Sequence, residues 1–311
     1  MLGNVISENR MHGSPIAGND EGRDTFSIAL TGPKLSVLLT LALALGTIQG
    51  ALAQPPLPGT FSSIDVPGAN FTAAFGIDPQ GAIVGRYISG GTEHGFLLSG
   101  GQFSSIDFPG ASLTDAWRIN PRGDIVGQYT SSGLGHAYWL SRGNFTTIDF
   151  PGGTSTIAWG NNAEGDIVGQ YTNAGVVHGY LLSGGQFTSI DFQGAKATLA
   201  NGINELGEVV GWYFISGVPH GFLFSGGSFT TIDFPGATWT QALGVNSEGE
   251  IVGRYLRAGV LHGFLLSGAS FTTIDFPGAV NTQANDINPE GDIVGRYDSA
   301  GVSHGFLLSR R

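Results

Sequence analysis

Four short runs of β-branched, aliphatic and aromatic residues recur along the chain, separated by turns rich in glycine, asparagine and proline. In one copy of the pattern the runs are residues 157–162, 166–171, 178–183 and 186–192. Such runs are strand and hairpin signals. The Gly184-Gly185 pair between the last two runs suits a two-residue hairpin that needs positive φ. The pattern therefore predicts a unit of four antiparallel strands.

This unit repeats every 42 residues without an insertion. Histidines keep the spacing at His94, His136, His178, His220, His262 and His304. Aspartates keep it at Asp65, Asp107, Asp149, Asp191, Asp233 and Asp275. Four strands in about 42 residues is the size of a propeller blade. Neighbours such as Ile167 and Val168 are both apolar although they point to opposite faces, so both faces must be covered.

We therefore predict an all-β, six-bladed β-propeller. A β-helix would also stack repeats, but its parallel strands have little need for Gly-Gly hairpins. The repeats begin at residues 61–66 with a fourth-type strand and end at residues 304–309 with a third-type strand. The first segment can thus complete the last blade and protect its edge. We assign the Ala-x-Gly-Ile-Asn runs to the innermost strands and the Phe-Thr-Thr-Ile-Asp-Phe runs to the outermost.

A leader precedes the repeats at residues 1–53. Its apolar stretch, residues 35–53, follows Lys34 and ends in Ala51 and Ala53, which form an A-x-A-like cleavage site. This pattern is typical of a secretory signal peptide. The alternative is a membrane anchor, for which the stretch is only marginally long enough. We predict a secreted protein, extracellular or periplasmic, with no stable membrane insertion after cleavage, a short linker at 54–59 and the propeller at 60–311.

The net charge of −11 argues against a nucleic-acid partner, because phosphate binding needs a basic surface. The 52 glycines are too many for ordinary helices and agree with turn-rich β structure. The absence of cysteine means that an exported chain must be stabilised by packing alone. We expect a monomer that needs no cofactor.

The repeats resemble a bacterial extracellular family named for its His-Ala-Phe tripeptide, the HAF repeat. The tripeptide is present as His136-Ala137-Tyr138, and as His-Gly-Phe at 94–96, 220–222, 262–264 and 304–306. The Gly-Ile-Asn-x-x-Gly-x-Ile-Val-Gly stretch, as at 202–211 with Val209 in place of Ile, is also similar to that family. The resemblance spans all six repeats. It implies export and a β-rich repeat architecture, and supplies no catalytic residue.

The recurring histidines and aspartates have a structural interpretation. If Gly100 and Gly101 form the turn, His94 faces Asp107 across the hairpin, and such a facing pair contributes roughly 0.2–1 kcal/mol. The same register pairs His136 with Asp149, His178 with Asp191, His220 with Asp233, His262 with Asp275 and His304 with Asp65. The alternative is a metal or acid–base site, but six equivalent catalytic sites on one ring argue against it. We predict no catalytic residue and no metal site, and the acidic turns such as 288–292 are interpreted as hairpin closures rather than calcium loops.

A ligand site is expected where the repeats differ, on the face that carries the variable loops. The residue after the recurring alanine is in turn Phe75, Trp117, Trp159, Asn201, Leu243 and Asn285. Aromatic rings beside amides suit stacking on sugar rings and hydrogen bonding to hydroxyls. The predicted ligand-binding residues are Phe75, Asp115, Trp117, Arg118, Trp159, Asn201, Trp239 and Asn285. The alternative is that these aromatics only fill the core between blades.

A second variable position precedes the recurring tyrosine, and holds Arg86, Gln128, Gln170, Trp212, Arg254 and Arg296. The three arginines fall in neighbouring blades after ring closure, where a cluster could bind a carboxylate. However, the second strand of a blade is usually set back from the channel. We therefore expect these arginines to be solvated or to lie between blades.

These observations favour an exported, non-enzymatic binding module for a carbohydrate or a cell-surface partner, acting through the variable loop face. Two alternatives stay open. One is a polysaccharide-active hydrolase or lyase in which Asp115 and Arg118 take part. The other is a purely structural envelope protein.

Overall fold

The computed structural model describes residues 57–310 as six four-stranded antiparallel sheets. The first strand of the chain, β1 (Thr60–Ile64), belongs to the last sheet. Blade 1 comprises β2 (Phe71–Ile77), β3 (Ile83–Ser89), β4 (Thr92–Ser99) and β5 (Gln102–Ile106). Blade 2 comprises β6 (Leu113–Ile119), β7 (Ile125–Ser131), β8 (Leu134–Ser141) and β9 (Asn144–Ile148). Blade 3 comprises β10 (Ser155–Asn161), β11 (Ile167–Asn173), β12 (Val176–Ser183) and β13 (Gln186–Ile190).

Blade 4 comprises β14 (Thr198–Ile203), β15 (Val209–Ile215), β16 (Val218–Ser225) and β17 (Ser228–Ile232). Blade 5 comprises β18 (Trp239–Val245), β19 (Ile251–Arg257), β20 (Val260–Ser267) and β21 (Ser270–Ile274). Blade 6 comprises β22 (Asn281–Ile287), β23 (Ile293–Ser299), β24 (Val302–Ser309) and β1. The first strand of each blade contacts the first strand of the next, and β22 contacts β2, so the blades form a closed ring. The prediction of a six-bladed propeller is confirmed.

Strand β1 closes the ring by completing blade 6. It pairs antiparallel with β24, with Phe61 opposite Leu308 and Ile64 opposite Gly305. The Phe61 ring packs edge-on against Phe276 and Phe306, at centroid distances of 5.2 and 5.5 Å. The edge of β24 is therefore paired rather than open, as the order of the repeats predicts.

The leader at 1–53 and the first part of the linker lie outside the described residues, so the signal peptide and the secreted location stay predictions. Within residues 57–310 there is no helix of the length and apolar character needed to cross a membrane.

The hydrophobic core is divided into six clusters, each of which lies between two neighbouring blades. The third strand of each blade contributes one fully buried ring. These rings are Phe96, Tyr138, Tyr180, Phe222, Phe264 and Phe306. Each of these rings lies opposite a glycine of the second strand, as Tyr138 lies opposite Gly127. A Cβ atom at Gly127 would overlap the carbonyl oxygen of Asp115 and lie 2.7 Å from the Tyr138 ring. The recurring glycine is therefore required by packing.

The hairpin between the third and fourth strands has the register that the Gly-Gly turn predicts. Gly100 and Gly101 have φ values of 57° and 77°, and Leu98 lies opposite Phe103. The histidine Nδ1 lies 2.7–3.0 Å from the aspartate carboxylate in all six pairs. Each histidine also stacks on the tyrosine of the second strand, at 5.0–5.5 Å between ring centroids. These contacts are compatible with a structural role for the pairs, which stays a prediction.

We predict that His178→Ala lowers the free energy of unfolding by about 0.5–1 kcal/mol, because it removes one partly exposed hydrogen-bonded pair. Denaturant unfolding would measure the loss, and His262→Ala should give the same value because its surroundings repeat those of His178. Loss of ligand affinity at an unchanged melting temperature would contradict a structural role.

A second prediction concerns the Tyr138 hydroxyl, which is buried without a hydrogen-bond partner among the described residues. Burial raises the pKa of Tyr138, and four other blades have phenylalanine at this position. Tyr138→Phe should therefore raise the free energy of unfolding by about 1 kcal/mol.

The matched control is Tyr129→Phe, because the Tyr129 hydroxyl does form a hydrogen bond, at 2.8 Å from Thr147 Oγ1. This change should lower stability by about 1 kcal/mol. Equal effects of the two substitutions in urea unfolding would show that the buried hydroxyl carries no penalty.

Candidate functional site

The innermost strand of every blade contains a β-bulge at the same repeat position. The pairing between β2 and β3 shifts between Ala74 and Gly76, so that Phe75 is the extra residue. The corresponding residues in the other blades are Trp117, Trp159, Asn201, Leu243 and Asn285. A bulge turns a side chain away from its regular direction. The variable position found in the sequence is therefore the bulge position of each innermost strand.

The residue after the bulge lies where the innermost strands approach one another most closely. Four blades have glycine there, and the other two have Arg118 and Asp286. A Cβ atom at Gly202 would lie 2.9 Å from the carbonyl oxygen of Leu243 and 3.2 Å from the Cα of Gly244. Glycine is required here because the neighbouring backbone occupies the space that a side chain would need.

Arg118 and Asp286 fill the centre of the ring as a buried ion pair. The Arg118 guanidinium also donates to the carbonyl oxygen of Leu243 at 2.9 Å, and lies 3.4–3.5 Å from three further bulge carbonyls. Asp286 accepts a hydrogen bond of 3.0 Å from the backbone N–H of Ile77. Burial raises the pKa of Asp286, and Arg118 opposes that rise. The pair forms a floor that closes the central channel at this level.

A cavity of about 220 Å³ lies above this floor. It is on the side where the innermost strands begin, which is the face of the variable loops. Its lining is formed by Phe75, Arg86, Trp117, Arg118, Trp159, Leu199, Asn201, Trp212, Leu243, Arg254, Gln283, Asn285 and Arg296. We call it the axial cavity.

Three variable positions of the repeat supply all of the lining except Arg118, and blades 4 and 6 contribute all three. The first is the bulge residue, and the second lies two residues before it. The third is the residue of the second strand that pairs with the second position, as Arg86 pairs with Ala73 and Arg254 with Gln241. Long side chains on the second strand therefore reach the cavity over the innermost strand. The expectation that this position is set back from the channel is wrong for Arg86, Trp212, Arg254 and Arg296.

Six of the eight residues predicted to bind ligand line the axial cavity, namely Phe75, Trp117, Arg118, Trp159, Asn201 and Asn285. Trp239, at the start of β18, and Asp115 are not in its lining. Residues that the sequence reasoning did not assign to a site include Leu199 and Gln283, at the position two before the bulge. Its members range from Ala73 to Asp115, so the position has no common chemistry that would mark it in the sequence.

Asp115 is fully buried in the wall behind the axial cavity. It accepts a hydrogen bond of 2.6 Å from Gln128 Nε2 and lies 4.0 Å from Nη1 of Arg86. Burial, together with the charge of Glu93, raises the pKa of Asp115 to about 7, against the opposing effects of Gln128 and Arg86. Its carboxyl group does not reach the cavity.

Aromatic rings form one wall of the axial cavity. Phe75 and Trp117 meet edge to face at 4.4 Å between centroids, and Trp117 and Trp159 meet at 4.5 Å. Trp159 Nε1 donates to Gln170 Oε1 at 3.1 Å. The row crosses blades 1, 2 and 3 without a break, and Trp212 adds a fourth ring from blade 4.

Guanidinium and amide groups from blades 5, 6 and 1 form a second wall, which meets the aromatic row where Arg86 lies 5.9 Å from the centres of the Phe75 and Trp117 rings. Arg254 donates from Nε to Gln241 Oε1 at 2.6 Å and from Nη1 to Gln283 Oε1. Arg86 forms an ion pair with Glu93. Burial and the nearby charge of Arg296 lower the pKa of Arg254 to about 10. Burial also lowers the pKa of Arg296.

Four buried polar atoms of the lining residues have no hydrogen-bond partner among the described residues. They are three donors, Nε of Arg86, Nε1 of Trp117 and Nε of Arg118, and one acceptor, Oδ1 of Asn201. Trp117 and Asn201 are strongly buried, with residue exposures of 7% and 8%. Unpaired buried polar groups are rare in folded proteins because each carries a desolvation cost. The side chains around the cavity thus include three unpaired donors and one unpaired acceptor.

No protein-family model matches the chain, and a search of curated proteins gives no match. The resemblance to the HAF repeat therefore stays a prediction. Among solved structures, a protein assigned as TolB from Agrobacterium tumefaciens is similar with a TM-score of 0.56 and 13% identity, over 78% of this chain and 90% of that chain. Virginiamycin B lyase from Staphylococcus aureus has a TM-score of 0.47 and 10% identity, over 79% of this chain and 87% of that chain. Aldose sugar dehydrogenase from Streptomyces coelicolor has a TM-score of 0.46 and 12% identity, over 82% of this chain and 99% of that chain. At these identities the likeness shows the propeller fold alone.

The floor yields a stability prediction. Arg118→Gly should lower the free energy of unfolding by about 3–5 kcal/mol at pH 7, because it leaves the Asp286 carboxylate buried without its partner. Without Arg118 the pKa of Asp286 rises further. A raised pKa in the folded state favours folding below that pKa and costs stability above it. The deficit relative to the unchanged protein should therefore shrink between pH 7 and pH 5.

The double variant R118G/D286G is the control, because it installs the glycine that four other blades already have. It should recover most of the lost stability in denaturant unfolding. A double variant less stable than the single Arg118→Gly would show that the ion pair is a required part of the fold.

Proposed function

We propose that the protein is an exported, non-enzymatic module that binds carbohydrate in the axial cavity. The observation that carries the proposal is the row of aromatic rings in the cavity wall, whose lining also includes the unpaired Trp117 Nε1 and Asn201 Oδ1. Sugar hydroxyls both donate and accept hydrogen bonds, so they can pair with an unpaired donor and with an unpaired acceptor. The apolar face of the same sugar ring can pack on the aromatic wall.

The size of the axial cavity supports a small ligand group. At about 220 Å³ it is below the roughly 300–1,000 Å³ that is typical of pockets for drug-sized molecules. We therefore expect it to hold one sugar ring, either a terminal ring of a longer glycan or a branch. The open side on the variable loop face would leave the rest of the glycan outside.

The acidic residues near the axial cavity support binding rather than hydrolysis. Most glycoside hydrolases place two carboxyl groups on either side of the bond that is cleaved. Among the described residues that line the cavity there is no aspartate or glutamate. Asp115 lies behind the wall, and Asp286 is paired with Arg118 in the floor.

The test is a glycan array followed by tryptophan fluorescence titration of the glycans that bind. We expect selective binding that Trp117→Ala/Trp159→Ala weakens by about tenfold or more, since loss of stacking and of the free donor removes over 1 kcal/mol. Asn201→Leu, which removes only the acceptor, should weaken binding at a nearly unchanged melting temperature.

Trp139→Ala is the matched control, because Trp139 is an exposed tryptophan of β8 outside the cavity. It should leave affinity unchanged. If no glycan binds, the carbohydrate proposal falls, and the aromatic row is then core packing in a structural or protein-binding propeller.

A further inference from the structure

The two walls of the axial cavity differ in charge as well as in shape. Blades 5, 6 and 1 contribute three arginines to the lining, whereas the chain as a whole has a net charge of −11. Clustered arginines repel one another and cost desolvation, so they are rarely gathered in a concave site without an anionic partner. The partners of each arginine decide which of the three has charge available for a ligand.

Arg86 is already neutralised. Its guanidinium is ion-paired with Glu93 and lies 5.0 Å from the centre of the Phe71 ring. A ligand carboxylate would have to compete with Glu93 for it. Arg86 is therefore the weakest of the three candidates for an anion contact.

Arg254 has the opposite arrangement. Its two acceptors, Gln241 Oε1 and Gln283 Oε1, are neutral amide oxygens. They fix the guanidinium plane without cancelling its charge. Its Nη2 has no hydrogen-bond partner among the described residues, and no carboxylate of these residues forms an ion pair with Arg254.

Arg296 also retains hydrogen-bonding capacity. Its nearest acidic group is Asp298, at 3.7 Å from Nε. The Asp298 carboxylate already accepts hydrogen bonds from Ser303 at 2.6 Å and from Asn281 at 3.2 Å. Arg296 itself forms no hydrogen bond within the described residues. Its donors are thus available on the same wall as Arg254.

We infer that Arg254 and Arg296 form an anion subsite in the axial cavity, and that the ligand is a uronic acid whose carboxylate binds there while its ring packs on the aromatic wall. The part of this inference that concerns the sugar ring of the ligand rests on the proposed carbohydrate function. Guanidinium groups bind carboxylates through paired N–H donors. Two arginines with one nearby aspartate leave one positive charge, which matches a single carboxylate better than a doubly charged phosphate.

The probes are oligosaccharides of glucuronate, galacturonate and mannuronate, each compared with its neutral methyl ester by titration calorimetry on the full mature protein. The acid of the preferred sugar should bind at least about tenfold more tightly than its ester, since one charge-assisted pair contributes on that scale. The preference should decrease as salt is raised from 0.05 to 0.5 M, and Arg254→Gln/Arg296→Gln should remove it.

Arg122→Gln is the control for loss of charge, because it removes one positive charge from an exposed loop, where the Arg122 side chain is 62% accessible. It should leave the preference unchanged. An equal reduction by Arg122→Gln would show a general charge effect and overturn the subsite. Tighter binding of a sulfated sugar than of any uronate would overturn the carboxylate assignment.

Other outcomes separate the two proposals. Acid and ester binding equally would overturn the anion subsite and leave carbohydrate binding intact. If no saccharide binds, both the proposal of carbohydrate binding and the assignment of the ligand as a uronic acid are overturned. Benzoate binding that the double arginine variant abolishes would then retain the anion subsite alone, and a failure of benzoate to bind would overturn it too.

Discussion

The close approach of the six innermost strands at the axis is the constraint on which the rest of the structure depends. At the residue after each bulge, neighbouring backbones lie so close that a side chain at Gly202 would meet the carbonyl oxygen of Leu243 at 2.9 Å. Interiors packed at this density transmit any added volume as strain. Glycine in four blades permits this close approach. The other two blades have Arg118 and Asp286, which form an ion pair at the axis. The ring is thereby closed in the middle, and the channel becomes a cavity that opens on one face.

The bulge links this crowding to the cavity. Because each innermost strand has one extra residue just before the crowded point, the direction of that side chain is released from the regular alternation of the strand. Positions that hold the blade together are almost invariant among the repeats, including the buried ring of the third strand and the glycine beneath it. The bulge residue, the residue two before it and its cross-strand partner vary freely. A nearly six-fold scaffold can thus carry an asymmetric site, with aromatic groups in one half of the ring and cationic groups in the other.

Most of the fold could be predicted from the sequence because the repeat is regular. The 42-residue spacing and the Gly-Gly turn together set the number of blades and the register of the outer hairpin, which places Leu98 opposite Phe103 as expected. The position of β1 in blade 6 followed from the order of strand types at the two ends of the repeats. These features depend on local patterns, and local patterns are visible in a single sequence.

The site could be predicted only in part, because it depends on contacts between distant repeats and on one local irregularity. No sequence pattern marks the bulge. Phe75 and Trp117 could therefore be recognised as variable positions, but the change in side-chain direction at the bulge could not be predicted. The pairing of Arg118 with Asp286 joins blades 2 and 6 across the axis, and in the sequence Arg118 reads as a free ligand-binding cation. The reach of Arg86, Arg254 and Arg296 into the cavity depends on the length of their side chains, which a rule about second strands does not take into account.

The way in which each arginine is held follows from the same geometry and determines how specific the cavity can be. A carboxylate partner within the protein stabilises a buried guanidinium but cancels the charge that a ligand would use. Amide partners orient the guanidinium and do not cancel its charge. The cation is then partly desolvated without a counter-charge, and this burial lowers the pKa of Arg254. Gln241 and Gln283 occupy the position two before the bulge, where blade 1 has the methyl group of Ala73 and blade 4 has Leu199. Both amides accept hydrogen bonds from Arg254, so the position two before the bulge in blades 5 and 6 orients this one guanidinium without cancelling its charge.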